Sequence, residues 1–350
     1  MVKSSISIAL ATQNKLRVAV VGLGRMGRLH LNHLLELSQQ VDLVAVADSL
    51  PENLQEISTR WGLPGYEDLA LMLDKERPGA LVIATPPASH AVLIQQAAPR
   101  GIHIFCEKPL ALTREEALVT ARAVADHGVL FQLGFQRRFD RAYRNAHDEI
   151  RQGRIGTLLT FKAVARDAWQ PNLEYARLEV SGGLLLDMAI HDFDLARWLV
   201  GSEVTRVSTE GNNLLYPQLT SVGDIDNAVV NLSFESGVIG NIEASRTGTY
   251  GYDIRTEVVG TRGALYVGPI EDHSLVTANS EGFRRSAVNG FEERFRESYK
   301  REIGEFVDCV LERRAPECGI RDGILSLEIA LAARESLRTG SPVAVRKGDG

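Results

Sequence analysis

The sequence has few cysteines, no long apolar run and no excess of positive charge, and each absence excludes a class of protein. Its three cysteines, Cys106, Cys309 and Cys318, lack the spacing of a zinc site. They are typical of a reduced cytoplasmic chain that buries its thiols as small apolar groups. No apolar run approaches the roughly 20 residues that a membrane-spanning helix needs. A formal net charge of −6 argues against nonspecific binding to nucleic acid.

The length of 350 residues, of which 44% are apolar and 24% charged, is comfortable for two globular domains. We predict a first domain over residues 1–134, which begins with a loose extension over 1–14, and a second domain over residues 135–350. The extension contains the short apolar run SISIALA. A secretory signal needs a longer apolar core and a clear cleavage site, so a signal peptide is the weaker alternative.

The first half of the chain alternates predicted strands with predicted helices. Runs of apolar residues predict buried strands at Arg17–Gly24, Asp42–Ser49, Ala80–Pro87, His103–Pro109 and Val129–Phe135. A helix is predicted after Arg25, another between Ser89 as its N-cap and Gly101, and a third from the capping-box pair Thr113 and Glu116 to Gly128. Such alternation with short links predicts a doubly wound parallel sheet of the α/β class.

The first predicted strand ends in a glycine pattern that is typical of dinucleotide binding. Gly22, Gly24 and Gly27 form G-x-G-x-x-G, with Arg25 and Met26 between them. The first glycine permits a tight turn, the second a close approach of the pyrophosphate and the third close packing of helix on strand.

Asp48, at the end of the next strand, stands where a carboxylate can bind both ribose hydroxyls. This carboxylate would repel a 2′-phosphate, so we expect NAD rather than NADP, although neighbouring loop residues could still accommodate a phosphate. The alternative interpretation is a glycine-rich turn with an unrelated surface aspartate.

Two further strands end in segments that should lie at the same edge of the sheet. They are ATPPASH, from Ala84 to His90, and CEKP, from Cys106 to Pro109. Ligands of doubly wound sheets lie beyond the carboxyl ends of the strands, which places Lys108 near the nicotinamide. The alternative is an ordinary solvated lysine.

The second half is richer in predicted strands, at Thr157–Arg166, Asn227–Phe234, Val238–Arg246 and Arg255–Gly268. They predict hairpins of an antiparallel sheet. One face of such a sheet can be covered by helices while the other pairs with a second subunit, so we expect a homo-oligomer, either a dimer or a tetramer. Residues 291–337 are predicted to be mostly helical, with a last strand at Pro342–Arg346.

A helix predicted from Gly183 to Trp198 carries Asp187, His191 and Asp194 at i, i+4 and i+7, on one face. Histidine suits removal of a hydroxyl proton, because its ordinary pKa is near neutrality. A carboxylate such as Asp187 can orient the ring or the substrate, and a cation such as Lys108 stabilises a developing alkoxide. A structural His–Asp pair remains an alternative. A zinc site is disfavoured, because no third histidine or cysteine cluster accompanies the pair.

These motifs together resemble the Gfo/Idh/MocA family of oxidoreductases. The resemblance rests on GLGRMG, ATPPASH, EKP, GFQRRFD from Gly134 to Asp140, and GGLLLDMAIHDFDLARW. Within that family, GDIDNAVVNLSFESG from Gly223 and SRTGTYGYDIRTEVVG from Ser245 are similar to the inositol 2-dehydrogenase group. The resemblance covers the chain after about Lys15.

The resemblance implies a Rossmann domain that binds NAD, followed by an α/β domain with a large open sheet for the substrate and for oligomerisation. It implies that Lys108 and His191 reach the substrate hydroxyl with Asp187 beside them, and that the Lys108–Pro109 peptide is cis. Four further residues are expected near the nicotinamide ribose, namely Thr85, Pro86, His90 and Glu107. The substrate site is expected to include Arg138, Arg166, Asp167, Trp169 and Tyr250.

The segment from Ala168 to Asn172 departs from the family pattern, in which the inositol enzymes carry a proline-rich stretch. Trp169 in this segment either shapes a sugar site or packs away from it. The leading hypothesis is therefore NAD-dependent oxidation of a ring hydroxyl of a cyclic polyol, myo-inositol or scyllo-inositol, to the ketone. The alternatives are a sugar, glycoside or anhydrosugar dehydrogenase with the same Lys108, Asp187 and His191, and a non-catalytic NAD(H)-binding sensor. A sensor has no need of proton-transfer groups, which argues against it.

Overall fold

The computed structural model describes residues 15–268, 271–280 and 282–348 and contains two large sheets. The predicted loose extension over residues 1–14 lies outside the described residues. Within the described ranges, the structure holds no helix of the length and apolar character that crossing a membrane requires.

The first sheet has six parallel strands in the order β3-β2-β1-β4-β5-β6. Its strands are β1 Leu16–Val21, β2 Val41–Ala47, β3 Gly65–Tyr66, β4 Ala80–Ile83, β5 His103–Glu107 and β6 Phe131–Gly134. The connecting helices are α1 Arg25–Glu36, α2 Pro51–Trp61, α3 Leu69–Glu76, α4 His90–Ala97 and α5 Arg114–His127. The strand order reverses between β1 and β4, so a crevice opens there at the carboxyl ends of the strands. This arrangement confirms the predicted doubly wound sheet.

Two local predictions in this half had different outcomes. The capping box is confirmed, because the Thr113 hydroxyl accepts a hydrogen bond from the Glu116 backbone N–H and the Glu116 carboxylate accepts one from the Thr113 N–H. Ser89 stands at the N-cap position of α4, as predicted, but its side chain makes no capping hydrogen bond. Its hydroxyl instead donates to the Pro86 carbonyl and contacts the Thr85 hydroxyl, so it folds back onto the loop that precedes α4.

The second sheet has seven strands in the order β12-β11-β7-β10-β9-β8-β15 and is antiparallel except for the β7–β10 pair. Its strands are β7 Leu158–Arg166, β8 Val204–Asn212, β9 Asn227–Phe234, β10 Ile239–Ser245, β11 Asp253–Gly260, β12 Gly263–Val267 and β15 Val343–Ala344. A separate hairpin consists of β13 Glu271–Asn279 and β14 Gly282–Ala287. The hairpins β9–β10 and β11–β12 were predicted, whereas β8 and the β13–β14 hairpin were not.

Helices cover one face of the second sheet. The helices in this half are α6 Arg141–Arg151, α7 Leu173–Ala176, α8 Leu178–Ser181, α9 Gly183–Asp187, α10 Ile190–Val200, α11 Phe291–Arg294, α12 Arg296–Glu312 and α13 Ile320–Thr339. Helix α12 returns to the first sheet, where Ile303 and Phe306 pack with Phe105. The predicted boundary after residue 134 stays a prediction. Beyond it, α12 contacts β5 and α1, and α13 contacts β6 and α5, so both helices tie the C-terminal half to the first half.

The opposite face of the second sheet carries exposed apolar side chains. Along β9 and β10, Val230 and Ile242 are buried beneath the helices, and the alternating positions Val229 and Ile239 are 40% and 61% exposed. Tyr266 on β12 is 75% exposed. Side chains alternate between the two faces of a strand, so the helix-free face is partly apolar and open to solvent.

Candidate active site

A cleft of about 550 Å³ lies at the carboxyl ends of β1, β4 and β5, where the first sheet meets α9 and α10. Eleven predicted site residues line it: Gly24, Arg25, Met26, Thr85, Pro86, Glu107, Lys108, Asp167, Trp169, Asp187 and His191. The other seven, which are Gly22, Gly27, Asp48, His90, Arg138, Arg166 and Tyr250, lie beside or away from this cleft.

The glycine loop has the close contacts and the open space that a dinucleotide requires. Gly22 has a positive φ of 87°, and a Cβ on Gly27 would lie 1.7 Å from the Gly22 carbonyl oxygen. By contrast, no heavy atom of the described residues lies within 4 Å of the Cβ position of Gly24. The amino end of α1 begins there without a side-chain cap, which leaves backbone N–H groups for a pyrophosphate. The loop therefore fits NAD.

Asp48 lies beside this loop at the end of β2. Its carboxylate accepts hydrogen bonds from the backbone N–H groups of Leu23, at 2.6 Å, and Leu50, at 2.8 Å. These contacts fix the carboxylate next to the second residue of the glycine motif. A ribose can be bound in this position by the remaining lone pairs of the two oxygens.

His90 differs from its predicted position, because its ring is fully buried beneath the cleft. Its two nitrogens lie 2.8 Å from the Pro109 carbonyl and 2.9 Å from the Thr85 carbonyl. Burial lowers the pKa of His90, and these contacts only partly oppose that effect. The residue ties together the loops that follow β4 and β5, so it supports the cleft without lining it.

Lys108 and Asp187 form the central ion pair of the cleft. The Lys108 ammonium donates to the Asp187 backbone carbonyl at 2.6 Å and to Asp187 Oδ1 at 3.0 Å, and the peptide between Lys108 and Pro109 is cis, as expected. The Tyr175 hydroxyl donates to the same Oδ1 at 3.0 Å. Burial opposes ionisation of Asp187, but Lys108 and Arg246 outweigh it, so the pKa of this carboxyl is lowered.

His191 lines the cleft as a neutral imidazole. Burial lowers its pKa well below the ordinary value, and the charges of Lys108 and Arg137 lower it further. Its Nδ1 is buried and has no hydrogen-bond partner among the described residues. Because the ring is uncharged at neutral pH, it is able to accept a proton.

The predicted single helix from Gly183 to Trp198 is wrong, because the chain breaks at Met188 and Ala189 between α9 and α10. The break lies between Asp187, which ends α9, and His191 and Asp194, which both belong to α10. Asp194 is 1% exposed and forms a bidentate pair with Arg138, with N–O distances of 2.5 and 2.8 Å. Asp187 and His191 thus belong to the cleft, whereas Asp194 belongs to the core.

Arg138 is the second correction, since the neighbouring Arg137 lines the cleft instead. Arg138 is 3% exposed and also donates to Asp322 at 2.8 Å. Arg137 is 2% exposed and donates to Asp192 at 2.6 Å. The two arginines follow each other in a short 3₁₀ helix and reach different carboxylates on α10.

Of the four remaining residues predicted for the substrate site, two line the cleft and two lie outside it. Asp167 and Trp169 line the cleft, and burial raises the pKa of Asp167 to about 6. Arg166 and Tyr250 lie outside it, where the Tyr250 hydroxyl joins Arg166 to Asp253. The cleft contains Tyr252 in place of Tyr250, and the Tyr252 ring stacks on Trp169 at 6.3 Å.

Sequence reasoning missed Arg137, Tyr175, Arg246 and Tyr252 in the lining of the cleft. The signal for Arg246 lies in the pairing of β7 and β10. These strands are parallel, with Ser245 opposite Arg166, so their next residues, Arg246 and Asp167, leave the sheet side by side. The sequence predicted an antiparallel sheet in this half, and antiparallel pairing of these strands would not place Arg246 beside Asp167.

The described residues contain no cluster of three or more histidine, cysteine, aspartate or glutamate side chains able to hold a metal ion.

Comparisons with known proteins match both halves of the chain. Residues 16–135 match the model of the Gfo/Idh/MocA oxidoreductase family for its NAD-binding Rossmann fold, and residues 147–345 match the model for its C-terminal α/β domain.

Individual relatives are similar over nearly their whole length. The chain is 37% identical to scyllo-inositol 2-dehydrogenase (NAD(+)) from Bacillus subtilis, over 95% of this chain and 96% of the relative. It is 34% identical to myo-inositol 2-dehydrogenase from Thermotoga maritima, over 92% and 96%. The crystal structure of scyllo-inositol dehydrogenase from Lactobacillus casei with NAD(H) and scyllo-inositol aligns with a TM-score of 0.89 at 31% identity, covering 95% of this chain and 99% of that one.

The position of Arg138 predicts a purely structural role. Replacing Arg138 with Met leaves Asp194 buried without its partner, which should lower the free energy of unfolding by about 3–5 kcal/mol in urea denaturation. The double variant Arg138→Met/Asp194→Leu should recover most of this loss, because it removes both charges.

The matched control is Arg177→Met, which removes an exposed arginine from its ion pair with Glu179. A change of less than about 1 kcal/mol is expected there. Equal losses in Arg138→Met and Arg177→Met would contradict the assignment.

Proposed function

The chain belongs to the Gfo/Idh/MocA oxidoreductase family of NAD-dependent dehydrogenases, and on that basis we propose that it oxidises one ring hydroxyl of an inositol to the corresponding ketone. The main observation in favour of this proposal is that Lys108, Asp187 and His191 line the same cleft as the glycine loop. When bound, NAD⁺ supplies the hydride acceptor. The relatives named for scyllo-inositol and myo-inositol support this substrate class.

His191 acts as the general base in this proposal. It takes the proton of the reacting hydroxyl, which must leave as the carbon loses hydride. The neutral state of the imidazole supports this role, because a protonated ring has no lone pair to offer. The low pKa also keeps the ring available as a base through the neutral pH range.

Lys108 donates to the same hydroxyl oxygen and stabilises the negative charge that develops on it. Asp187 holds the lysine in place, since its backbone carbonyl and its Oδ1 both accept from the ammonium group. The pair lies between the end of β5 and the end of α9, so the reacting oxygen would be bound where the two halves of the chain meet.

The outer part of the cleft would bind the remaining hydroxyls of the ring. Asp167 and Arg137 provide polar groups there, and Trp169 and Tyr252 provide stacked aromatic faces. Aromatic faces commonly pack on the apolar faces of sugar rings, and carboxylates bind paired hydroxyls. A rigid cyclic polyol suits this lining.

The proposal is tested by following the nicotinamide absorbance with NAD⁺ and, separately, NADP⁺ in the presence of myo-inositol, scyllo-inositol, glucose or levoglucosan. We expect NADH formation with an inositol and much weaker activity with NADP⁺, because of Asp48. If only the sugars are turned over, the protein is a sugar dehydrogenase that uses the same proton-transfer groups. Binding of NAD⁺ without turnover of any compound would contradict the proposal and favour a sensor.

The role of Lys108 generates a direct prediction. Lys108→Ala should lower kcat by about 10²–10³-fold, as removal of a transition-state hydrogen-bond donor does elsewhere. NADH binding, measured by fluorescence titration, should be retained, because the glycine loop is unchanged. The matched control is Lys347→Ala, at a side chain that is 82% exposed. Full turnover in Lys108→Ala would refute the assignment.

We further propose that the protein is a cytoplasmic homo-oligomer in which the helix-free face of the second sheet packs on a second copy. Support for the interface comes from Val229, Ile239 and Tyr266, which are exposed apolar side chains on the face of the second sheet that the helices leave open. Support for the compartment comes from the three cysteines, which are buried and form no disulfide with one another.

Ile239→Lys should reduce the molar mass in light scattering, because it places a charge within the proposed interface. Leu214→Lys provides the control, since Leu214 is 82% exposed in the connection after β8. The interface is wrong if the wild-type protein is a monomer, or if both variants keep the wild-type molar mass.

A further inference from the structure

We propose that the buried pair Asp224–Arg246 is a positioning device that fixes Asp187 as an oriented anion and thereby sets the position of Lys108. This inference rests on the proposed function and extends it to two residues outside the Lys108, Asp187 and His191 set. Asp224 precedes β9 and Arg246 follows β10, so both come from the second sheet.

The two oxygens of Asp187 have different partners. Oδ1 accepts from Lys108 and from Tyr175, each at 3.0 Å. Oδ2 faces Arg246, whose Nη2 lies 3.7 Å away. With one oxygen bound by two donors and the other drawn toward a cation, the carboxylate has a single favoured orientation.

Arg246 is itself held on its other side by Asp224. Its Nη2 donates to Asp224 Oδ2 at 3.3 Å, and the side chains are 3% and 2% exposed. In such a buried place the guanidinium cannot rotate freely. The arginine therefore presents its charge to Asp187 from a fixed direction.

Asp224 also holds the beginning of the helix that carries Asp187. Its Oδ1 accepts from the Leu184 backbone N–H at 2.7 Å, in the first turn of α9. Gly183 makes this approach possible, since its φ is 74° and a Cβ there would lie 2.6 Å from Asp224 Oδ1. One carboxylate thus anchors the start of the five-residue helix and, through Arg246, the side chain at its end.

The charge balance around Asp187 makes the arginine necessary. The charged and titratable groups that face it from the surrounding elements are Lys108 after β5, Asp167 after β7, Tyr175 on α7, Asp224 before β9 and Arg246 after β10. Burial and the two neighbouring carboxylates favour protonation of Asp187. Without Arg246, only Lys108 and the hydrogen bond from Tyr175 would oppose these three effects.

Loss of the arginine should therefore raise the pKa of Asp187. A cation within about 4–6 Å typically lowers the pKa of a carboxyl by about 1–3. Protonated Asp187 would no longer hold the Lys108 ammonium by charge. Turnover would then fall at acidic pH before it falls at neutral pH, although neither residue of the positioning pair touches the reacting atoms in this proposal.

The first experiment measures kcat and KM for the inositol substrate against pH in Arg246→Gln. We expect the acidic limb of the pH profile of kcat to move up by at least about one pH unit, and the loss of kcat to be larger at acidic than at neutral pH. The KM for NAD⁺ should stay within about twofold. Arg246→Lys should restore the limb, because the charge returns, and Asp224→Asn should move it partly, because the amide keeps the contact with Leu184 but loses the ion pair.

A second readout does not depend on turnover. An aspartate with a lowered pKa stabilises the fold above its unfolded pKa, and this stabilisation is lost as the pH falls through the folded pKa. In Arg246→Gln this stabilisation should be smaller, so urea unfolding at several pH values should show less loss of stability on acidification than in the wild-type protein. In an Asp187→Asn background, Arg246→Gln should change the pH dependence less, because only Asp167 and Asp224 then lose the influence of the cation.

The matched control is Arg197→Gln. Arg197 is also buried and also pairs with carboxylates, Glu203 and Asp322, but it lies outside the cleft. It should lower stability without moving the acidic limb. If Arg246→Gln behaves like Arg197→Gln in both readouts, the pair is only structural and the inference is wrong. If wild-type protein turns over no inositol, the proposed function fails, while the unfolding experiment still decides the role of Arg246.

Discussion

The ion pair between Lys108 and Asp187 is the contact on which the candidate site depends. The lysine follows the fifth strand of the first sheet, and the aspartate ends a short helix of the second half. Their contact closes the cleft between a nucleotide-binding edge and a polar lining from the other half. Because the ammonium group binds both the carbonyl and the carboxylate of Asp187, its position is set by backbone as well as by charge.

The cleft contains several charges in little space, and burial acts on them in opposite ways. It raises the pKa of Asp167 and lowers that of His191, so each is driven toward its neutral form. Asp187 is the exception, because two cations outweigh the cost of burying its charge. The result is a neutral base beside a fixed anion and cation, an arrangement suited to moving one proton.

Much of the fold follows from patterns that are local in sequence. The apolar runs of β1, β2, β4 and β5 predict the parallel sheet, since a strand buried on both faces needs no alternation. The glycine motif predicts its own turn, because a Cβ on Gly27 would overlap the Gly22 carbonyl. The helices α2 and α3 were not predicted.

The site was predictable where chemistry and a strand end coincide, as at Lys108. Arg137 and Arg138 show the limit, because their adjacent side chains have the same chemistry in a short 3₁₀ helix. Only the positions of Asp192 and Asp194 on α10 decide which of them reaches the cleft.

The sequence by itself determined the class of the sheet, the nucleotide loop and the identity of the lysine, aspartate and histidine that meet in the cleft. The tertiary structure decided the rest. It broke the helix at Met188 and Ala189, between Asp187 and His191, and it buried Asp194 against Arg138 while Asp187 and His191 line the cleft. It also paired β7 with β10 in parallel, which brings Arg246 next to Asp167. Both depend on contacts between residues far apart in the chain, and no local periodicity encodes such contacts.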